Sequence, residues 1–448
     1  MQRRAVITGM GVVSPNGVGR EAFCRATQAG ISGVRVVAAF QQAGLGAQIG
    51  GEASEFDPLA HMEAHEAAQV GRVVPLALAA AAEALADAGL EPGRLSLEQR
   101  RRIAVLIGSG GAALEFVERQ FELYFSGQAK RCSVYTIPSA TPGALASELS
   151  MRFGLRGFSH LISTGCTSST DALGYARQQI LLGAADAVLC GGVDAPLAPL
   201  IARAFGLMRV LTTAWNHAPE RGSRPFSADR DGCVLGEGAW MFVVEEEGRA
   251  RARGARPYAR LAGYGSTCDA HHRVRPEDSG EEPARAMQLA LADAGLPPEA
   301  IGYANLHGTS TVLNDRIETR AVKLALGRHA YRTPMSALKS QIGHPQGASG
   351  AAGVAATLAA LGAQRVPPTL NLDHPDPECD LDYVPHEGRA HGFAHALCNC
   401  IAFGSKNSAL VLSAVRLSRP MLDGAPLGRA TRPASAAGKR GAPTLGNS

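Results

Sequence analysis

Short runs of β-branched and aliphatic residues alternate along the chain with alanine-rich stretches whose apolar positions recur three and four apart. Residues 4–8, 102–107, 187–189 and 241–245 read as strands, and residues 74–88 and 167–182 as helices. The alternation predicts an α/β fold with a mainly parallel sheet covered by helices. One heptapeptide, ALADAGL, occurs twice, at 84–90 and 290–296. Each copy ends an alanine-rich helix, passes a proline-containing link and leads into a strand, RIAVLIGSG in one case and IGYANLHGTS in the other. Repetition in one setting marks a repeated unit, so two duplicated halves are expected, divided near Arg260. The pattern fades after Leu417, where Pro, Gly, Ala, Ser and Arg dominate without periodicity, as in a disordered tail.

Composition narrows the function classes. The 448 residues are 46% hydrophobic and 19% charged, a globular balance. The net charge of +4 equals the excess in 417–448, where Arg419, Arg429, Arg432, Lys439 and Arg440 face only Asp423. A neutral body argues against a nucleic-acid surface spread over the fold. The nine cysteines are odd in number and scattered, which predicts free thiols in a reducing, cytoplasmic setting. The opening MQRRAVITGMGVVSPNG is interrupted by Gly9, Gly11 and Pro15, and fits a buried strand and turn better than a signal peptide. The uncharged stretch 347–363 is too short to span a bilayer.

Several weak signals lead nowhere. Residues 9–14 supply G-x-G-x-x-S, without the third glycine of a dinucleotide fingerprint. His61 and His65 lack the HExxH pattern, and Cys398-x-Cys400 has no second pair, so two small buried residues are expected there rather than a metal site. The segment HLISTGCTSSTDALGYARQQILLGAAD is different. A strand ends in Ser163-Thr164-Gly165, Cys166 follows, and a helix begins at once with Thr167, Ser168 and Ser169 as candidate caps. A cysteine on a tight strand-to-helix turn is a nucleophile elbow, and the helix dipole is expected to lower its pKa toward neutrality. Two histidine segments accompany it, His307-Gly308-Thr309-Ser310-Thr311 after a strand and Lys339-Ser340-Gln341-Ile342-Gly343-His344 before a small-residue helix over 346–363. The chain has only five lysines, which makes Lys339 stand out.

Together with RPFSADRDGCVLGEGA (224–239), HGTSTVLNDRIET (307–319), SALKSQIGHPQGASGAAG (336–353), VPPTLNLDHPDPECDLDYVPHEGR (366–389) and CNCIAFGSKNSALVL (398–412), these segments resemble the β-ketoacyl-acyl-carrier-protein synthase family. The likeness is to its elongating, type II members and runs from residue 5 to about 415. It implies a thiolase-like, layered αβαβα fold with a cysteine-bearing half at 1–259, a histidine-bearing half at 260–416 and the tail at 417–448. It also implies decarboxylative condensation of an acyl group, carried on Cys166, with malonyl-acyl-carrier protein, in fatty-acid or polyketide and polyene synthesis. His307 and His344 would complete the catalytic trio, with no metal or redox cofactor. The N–H groups of Cys166 and Phe403 would form the oxyanion hole, Lys339 and Glu318 a buried ion pair, and Thr309 and Thr311 the contacts to phosphopantetheine.

Acyl carrier protein is the implied partner, docking at Lys130, Arg131 and Arg209, with a homodimer or a heterodimer with a related subunit as the assembly. Three departures qualify the match. The family loop Gly-Phe-Gly-Gly-Thr-Asn reads Ala402-Phe403-Gly404-Ser405-Lys406-Asn407, and a pocket position often held by isoleucine is Gly111. A helix often rich in Lys and Arg reads AHMEAHEAAQ (60–69), which implies a dedicated carrier. The competing readings are a non-catalytic chain-length-factor-like partner, which would lack Cys166, and a thiolase, which lacks the two histidine motifs.

Overall fold

The computed structural model describes residues 3–415; the tail expected at 417–448 lies outside them. Ten strands form the main sheet: β1 (Ala5–Ser14), β2 (Ile103–Gly108), β3 (Ser159–Ile162), β4 (Ala187–Asp194), β5 (Gly238–Glu246), β6 (Ala259–Cys268), β7 (Tyr303–Asn305), β8 (Met335–Ser336), β9 (His395–Ala402) and β10 (Lys406–Ser413). They run in the order β8-β7-β9-β10-β6-β1-β5-β4-β2-β3, with Gly17–Val18 added on β1. Every residue of β1 is buried, as the reading of the N-terminal run as a strand requires.

The expectation of a mainly parallel sheet is corrected. Only the two wings are parallel, β4-β2-β3 and β9-β7-β8. Every pairing from β4 through β5, β1, β6 and β10 to β9 is antiparallel. The wings are built from strands separated by helices, which allows parallel crossovers; β9 and β10 are joined by three residues, which forces a hairpin.

The order from β1 outward (β1-β5-β4-β2-β3) matches that from β6 outward (β6-β10-β9-β7-β8), and the two sets meet where Val6 pairs with Arg260 and Ile7 with Ala259. The repeated heptapeptide has a physical reason. Helix α1 (Val73–Asp87) lies so close on β1 that a Cβ at Gly9 would land on the carbonyl of Ala84. Helix α4 (Glu281–Ala294; α2 and α3 are Ala144–Phe153 and Ser168–Leu181) crosses β6 so that a Cβ at Gly263 would land on that of Ala290. Both strands carry a bulge there, between Ile7 and Gly9 and between Leu261 and Gly263. The aspartate of each heptapeptide takes the freed strand N–H: Asp87 from Met10 and Asp293 from Tyr264, both at 3.0 Å.

Helices α1 and α2 cover one outer face, and α4 and α5 (Val312–Leu326) the other. Between the half-sheets lie α3 and α6 (Ser349–Ala363), which make the central layer and touch strands of both halves. Their first turns are stitched together, since Ser169 Oγ accepts the N–H of Ala351 at 2.9 Å. A Cβ on Gly350 would collide with Thr170, so glycine sets this approach. The loops after β3, β7 and β8 therefore converge at one end of the molecule, the carboxyl ends of the parallel strands, where open α/β sheets place their ligand sites.

Candidate active site

Cys166 stands four residues beyond β3 and two before α3, after Gly165 with φ 71°. The expected hydroxyl cap does not form: Thr167 occupies the cap position without a side-chain bond to the helix. The hydroxyls bind back into the elbow instead. Thr167 Oγ1 donates to the Thr164 carbonyl at 2.9 Å, and Ser168 Oγ accepts the Thr164 N–H at 2.9 Å. They fix the turn that presents the sulfur rather than the helix end.

The sulfur lies 3.2 Å from Nε2 of His344, and the His307 and His344 rings meet edge to face with centroids 5.3 Å apart. All three residues are buried. His344 is fixed through its backbone, whose N–H donates to the Val234 carbonyl at 2.7 Å while its carbonyl accepts the Gly236 N–H at 3.0 Å. The segment 224–239 thus supplies a strand edge for the histidine loop. Its Nδ1 accepts the N–H of Gln346 at 3.2 Å and faces Ser349 Oγ at 3.1 Å, which leaves the ring proton on Nε2, toward the sulfur.

His307 is gripped from both sides of its backbone. Its N–H and that of Gly308 each donate to Glu318 at 2.7 Å, and its carbonyl accepts from Lys339 Nζ at 2.6 Å. Lys339 Nζ also lies 3.2 Å from His307 Nδ1, which again leaves the ring proton on Nε2. The expected Lys339–Glu318 ion pair is corrected: no such pair within 4 Å exists among the described residues, because the backbone of His307 and Gly308 stands between the two groups. Three partners escaped the sequence reading. Asn399 donates to Glu318 at 2.7 Å, Ser349 faces His344, and Cys400 Sγ lies 3.3 Å from His307 Nδ1. Cys400 did carry a signal, the Cys-x-Cys spacing, but its alternation along β9 reads equally as plain core.

The electrostatics correct a second expectation. Burial pushes the Cys166 thiol up to about 11, against the pull of Lys339 and of the N–H groups of Phe403 and Cys166, which point at the sulfur. Desolvation is the largest contribution, because the sulfur is buried rather than at the surface. Burial also holds both histidines well below their ordinary value, with Lys339 adding to it. Cys166, His307 and His344 offer three potential ligand atoms within 4.8 Å of one another. A metal does not suit them, since each imidazole is occupied at Nδ1 and turns a protonated Nε2 inward.

The trio opens into a cavity of about 320 Å³, lined also by Thr309, Thr311 and Phe403. The two threonine hydroxyls are 2.8 Å apart, and the Phe403 ring stacks near Phe205 at 6.3 Å. Arg209 lines the cavity; Lys130 and Arg131 are exposed but do not line it, and neither does Gly111. Beside Gly111 an added Cβ would meet nothing closer than Leu114 at 3.7 Å, so a larger side chain would fit there.

The model of the β-ketoacyl synthase N-terminal domain matches residues 2–250, and that of the C-terminal domain residues 258–373. The chain belongs to the β-ketoacyl synthase family. It is 38% identical over 409 residues to 3-oxoacyl-[acyl-carrier-protein] synthase 2 of Synechocystis sp., covering 91% of this chain and 97% of that protein. It is likewise 38% identical over 425 residues to the tetracenomycin polyketide synthase ketoacyl synthase alpha subunit of Streptomyces glaucescens, covering 93% and 99%. A type II polyketide ketosynthase, solved with its acyl-carrier protein and bound to the hexaketide, superposes with a TM-score of 0.85 at 32% identity, covering 93% of this chain and 100% of that one. This β-ketoacyl synthase is therefore a condensing enzyme of thiolase-like fold, of the group that serves fatty-acid and polyketide synthesis. No helix among its described residues is long and apolar enough to cross a membrane.

Proposed function

We propose that the enzyme condenses an acyl group, held as a thioester on Cys166, with malonyl-acyl-carrier protein to give 3-oxoacyl-acyl-carrier protein. One observation carries this reading: a buried sulfur 3.2 Å from one imidazole, with a second imidazole beside it and both turned inward as N–H donors. In the first step the sulfur attacks the carrier-borne thioester. The new S–C bond forms, the carrier's breaks, and the thiol proton passes to the departing carrier thiolate. The N–H groups of Cys166 and Phe403 stabilise the tetrahedral oxyanion, the usual leading contribution in acyl transfer.

Malonyl carrier protein then loses carbon dioxide, and the electrons of that bond become an enolate at its thioester oxygen. The Nε2–H groups of His307 and His344 hold that oxygen. The enolate carbon attacks the acyl group on Cys166, and one proton from solvent restores the thiol. Each step uses only side chains and backbone of this chain. Lys339 and Glu318 act as positioning residues, and Thr309 with Thr311 receives the phosphopantetheine arm.

Residues 1–259 are read as the cysteine-bearing half and 260–416 as the histidine-bearing half. A second copy, or a related subunit, suits the outer edge of β3, which is unpaired beside exposed Val134, Ile137 and Met151. Lys130 and Arg131 border that patch and, with Arg209, would meet an acidic carrier. A cytoplasmic setting fits nine cysteines that are all free. The chain-length-factor reading is disfavoured by Cys166 itself.

Intact-protein mass spectrometry with a series of acyl carrier proteins tests this directly. Cys166→Ala abolishes acyl transfer and condensation but keeps some malonyl decarboxylation, whereas His307→Ala suppresses decarboxylation and keeps at least partial acylation. Unaltered condensation in both variants would overturn the assignment.

A further inference from the structure

Two arginines, Arg209 and Arg275, line the cavity and remain exposed. The arginines of the segment 221–230 are spoken for: Arg221, Arg224 and Arg230 each pair with aspartates. The guanidiniums of Arg209 and Arg275 have no hydrogen-bond or ion-pair partner among the described residues. Asp231 is the one carboxylate among the lining residues, and its oxygens are taken by the Thr212 hydroxyl and by the N–H groups of Thr213 and Ala214, the latter at 3.0 and 3.1 Å. The cavity thus carries two guanidiniums against one carboxylate, an excess of positive charge.

Both residues are held in place by local structure. Arg209 has φ 56° just after the helix Pro199–Leu207, the left-handed turn that closes a helix, with its N–H on the Gly206 carbonyl at 2.9 Å. Arg275 ends a segment anchored from the Phe403 loop. Ser405 Oγ accepts the N–H groups of His271 and His272 at 3.2 and 3.1 Å, and the Arg273 carbonyl accepts the Gly404 N–H at 2.8 Å. His272 Nδ1 then accepts the N–H groups of Val274 and Arg275 at 3.0 and 3.1 Å, closing the turn that presents the guanidinium.

We infer that Arg209 and Arg275 form an anion clasp on the cavity that takes the phosphodiester of the pantetheine arm. This rests on the reading that the cavity receives carrier-borne thioesters. A planar guanidinium matches two phosphate oxygens at once. The paired hydroxyls of Thr309 and Thr311 and the apolar walls at Phe205, Val274 and Leu313 suit the amides and methyl groups of the arm, and Cys166 its reacting end. A carboxylate on the carrier's own surface has the same charge, so the test must separate the two sources.

Cys166 acylation is measured with three donors of one acyl group: acyl-pantetheine without phosphate, acyl-phosphopantetheine, and the acyl carrier protein. Arg275→Ala raises KM by about tenfold for the two phosphorylated donors, as loss of a charge-assisted contact should. It leaves kcat unchanged and changes acyl-pantetheine by less than about twofold. Arg209→Ala raises KM for acyl-phosphopantetheine by a similar factor and for the carrier protein by more, since Arg209 is also read as facing the carrier, and added salt erodes the wild-type preference for phosphate. An equal effect on all three donors, or none, overturns the clasp. An effect confined to the carrier protein overturns the phosphate assignment in favour of carrier carboxylates. If the wild type is acylated by none of the three, the condensing reading itself fails, and the clasp with it.

Discussion

At Cys166 the burial that shields an acyl-enzyme from water also keeps the proton on the sulfur. The thiol is pushed up to about 11 from an ordinary 9.0, so the thiolate fraction keeps rising with pH well past the point where an exposed cysteine levels off. Alkylation of Cys166 by iodoacetamide, followed by peptide mass spectrometry, is expected to climb through pH 9 toward that higher midpoint. A plateau near pH 7 would show that the helix dipole prevails after all. Glu318 offers a second test at this scale. It accepts the N–H groups of His307 and Gly308 and the amide of Asn399, but it touches neither Cys166 nor the cavity. Replacing its charge in Glu318→Gln weakens the grip on the His307 loop, and malonyl decarboxylation is expected to fall by about one to two orders of magnitude. Acylation of Cys166, measured by intact mass, changes far less.

At the scale of elements, the helix–strand contacts repeated in both halves make glycine indispensable at a few places and optional elsewhere. A methyl group at Gly263 would strike the Ala290 carbonyl, so Gly263→Ala is expected to cost about 3 kcal/mol or more, read as a loss in urea midpoint. Gly93 has nothing within 4 Å of an added Cβ, and Gly93→Ala serves as the near-neutral control. Most of this architecture was legible in the chain. The helix over 167–182 appears as Ser168–Leu181, the small-residue helix appears as a 3₁₀ turn at Gln346–Ala348 followed by Ser349–Ala363, and the repeated heptapeptide marked two equivalent packings. The antiparallel centre of the sheet was not legible. Periodicity reports which residues are buried on a strand, whereas strand direction depends on how the connections run in space.

For the whole molecule, the two buried histidines couple the site to stability. Both are held well below 6.5, so below that pH the unfolded chain binds more protons than the native one. Stability is therefore expected to fall on acidification below about pH 6.5. The variant His307→Asn/His344→Asn should show a shallower decline in Tm over the same range. The acidic character of residues 60–69 makes a prediction about partners: turnover with a dedicated carrier should exceed that with a housekeeping one, and equal turnover would remove the reason for expecting selectivity.

By itself the sequence pointed to the residues that meet at the cavity, because each sits in a local setting that could be read in order: a cysteine on a strand-to-helix elbow, two histidines in glycine-flanked loops, a lysine five residues before the second. It also marked the duplication, since backbone contact leaves a required glycine and alanine in each copy. Only the tertiary structure decided the electrical state of those residues. How far water is excluded from Cys166 depends on chain segments more than a hundred residues apart coming together, and Glu318 and Lys339 meet opposite sides of the His307 backbone rather than each other because of how three nearby loops fold on one another. Desolvation and hydrogen-bond geometry act through space, and spacing along the chain does not record them.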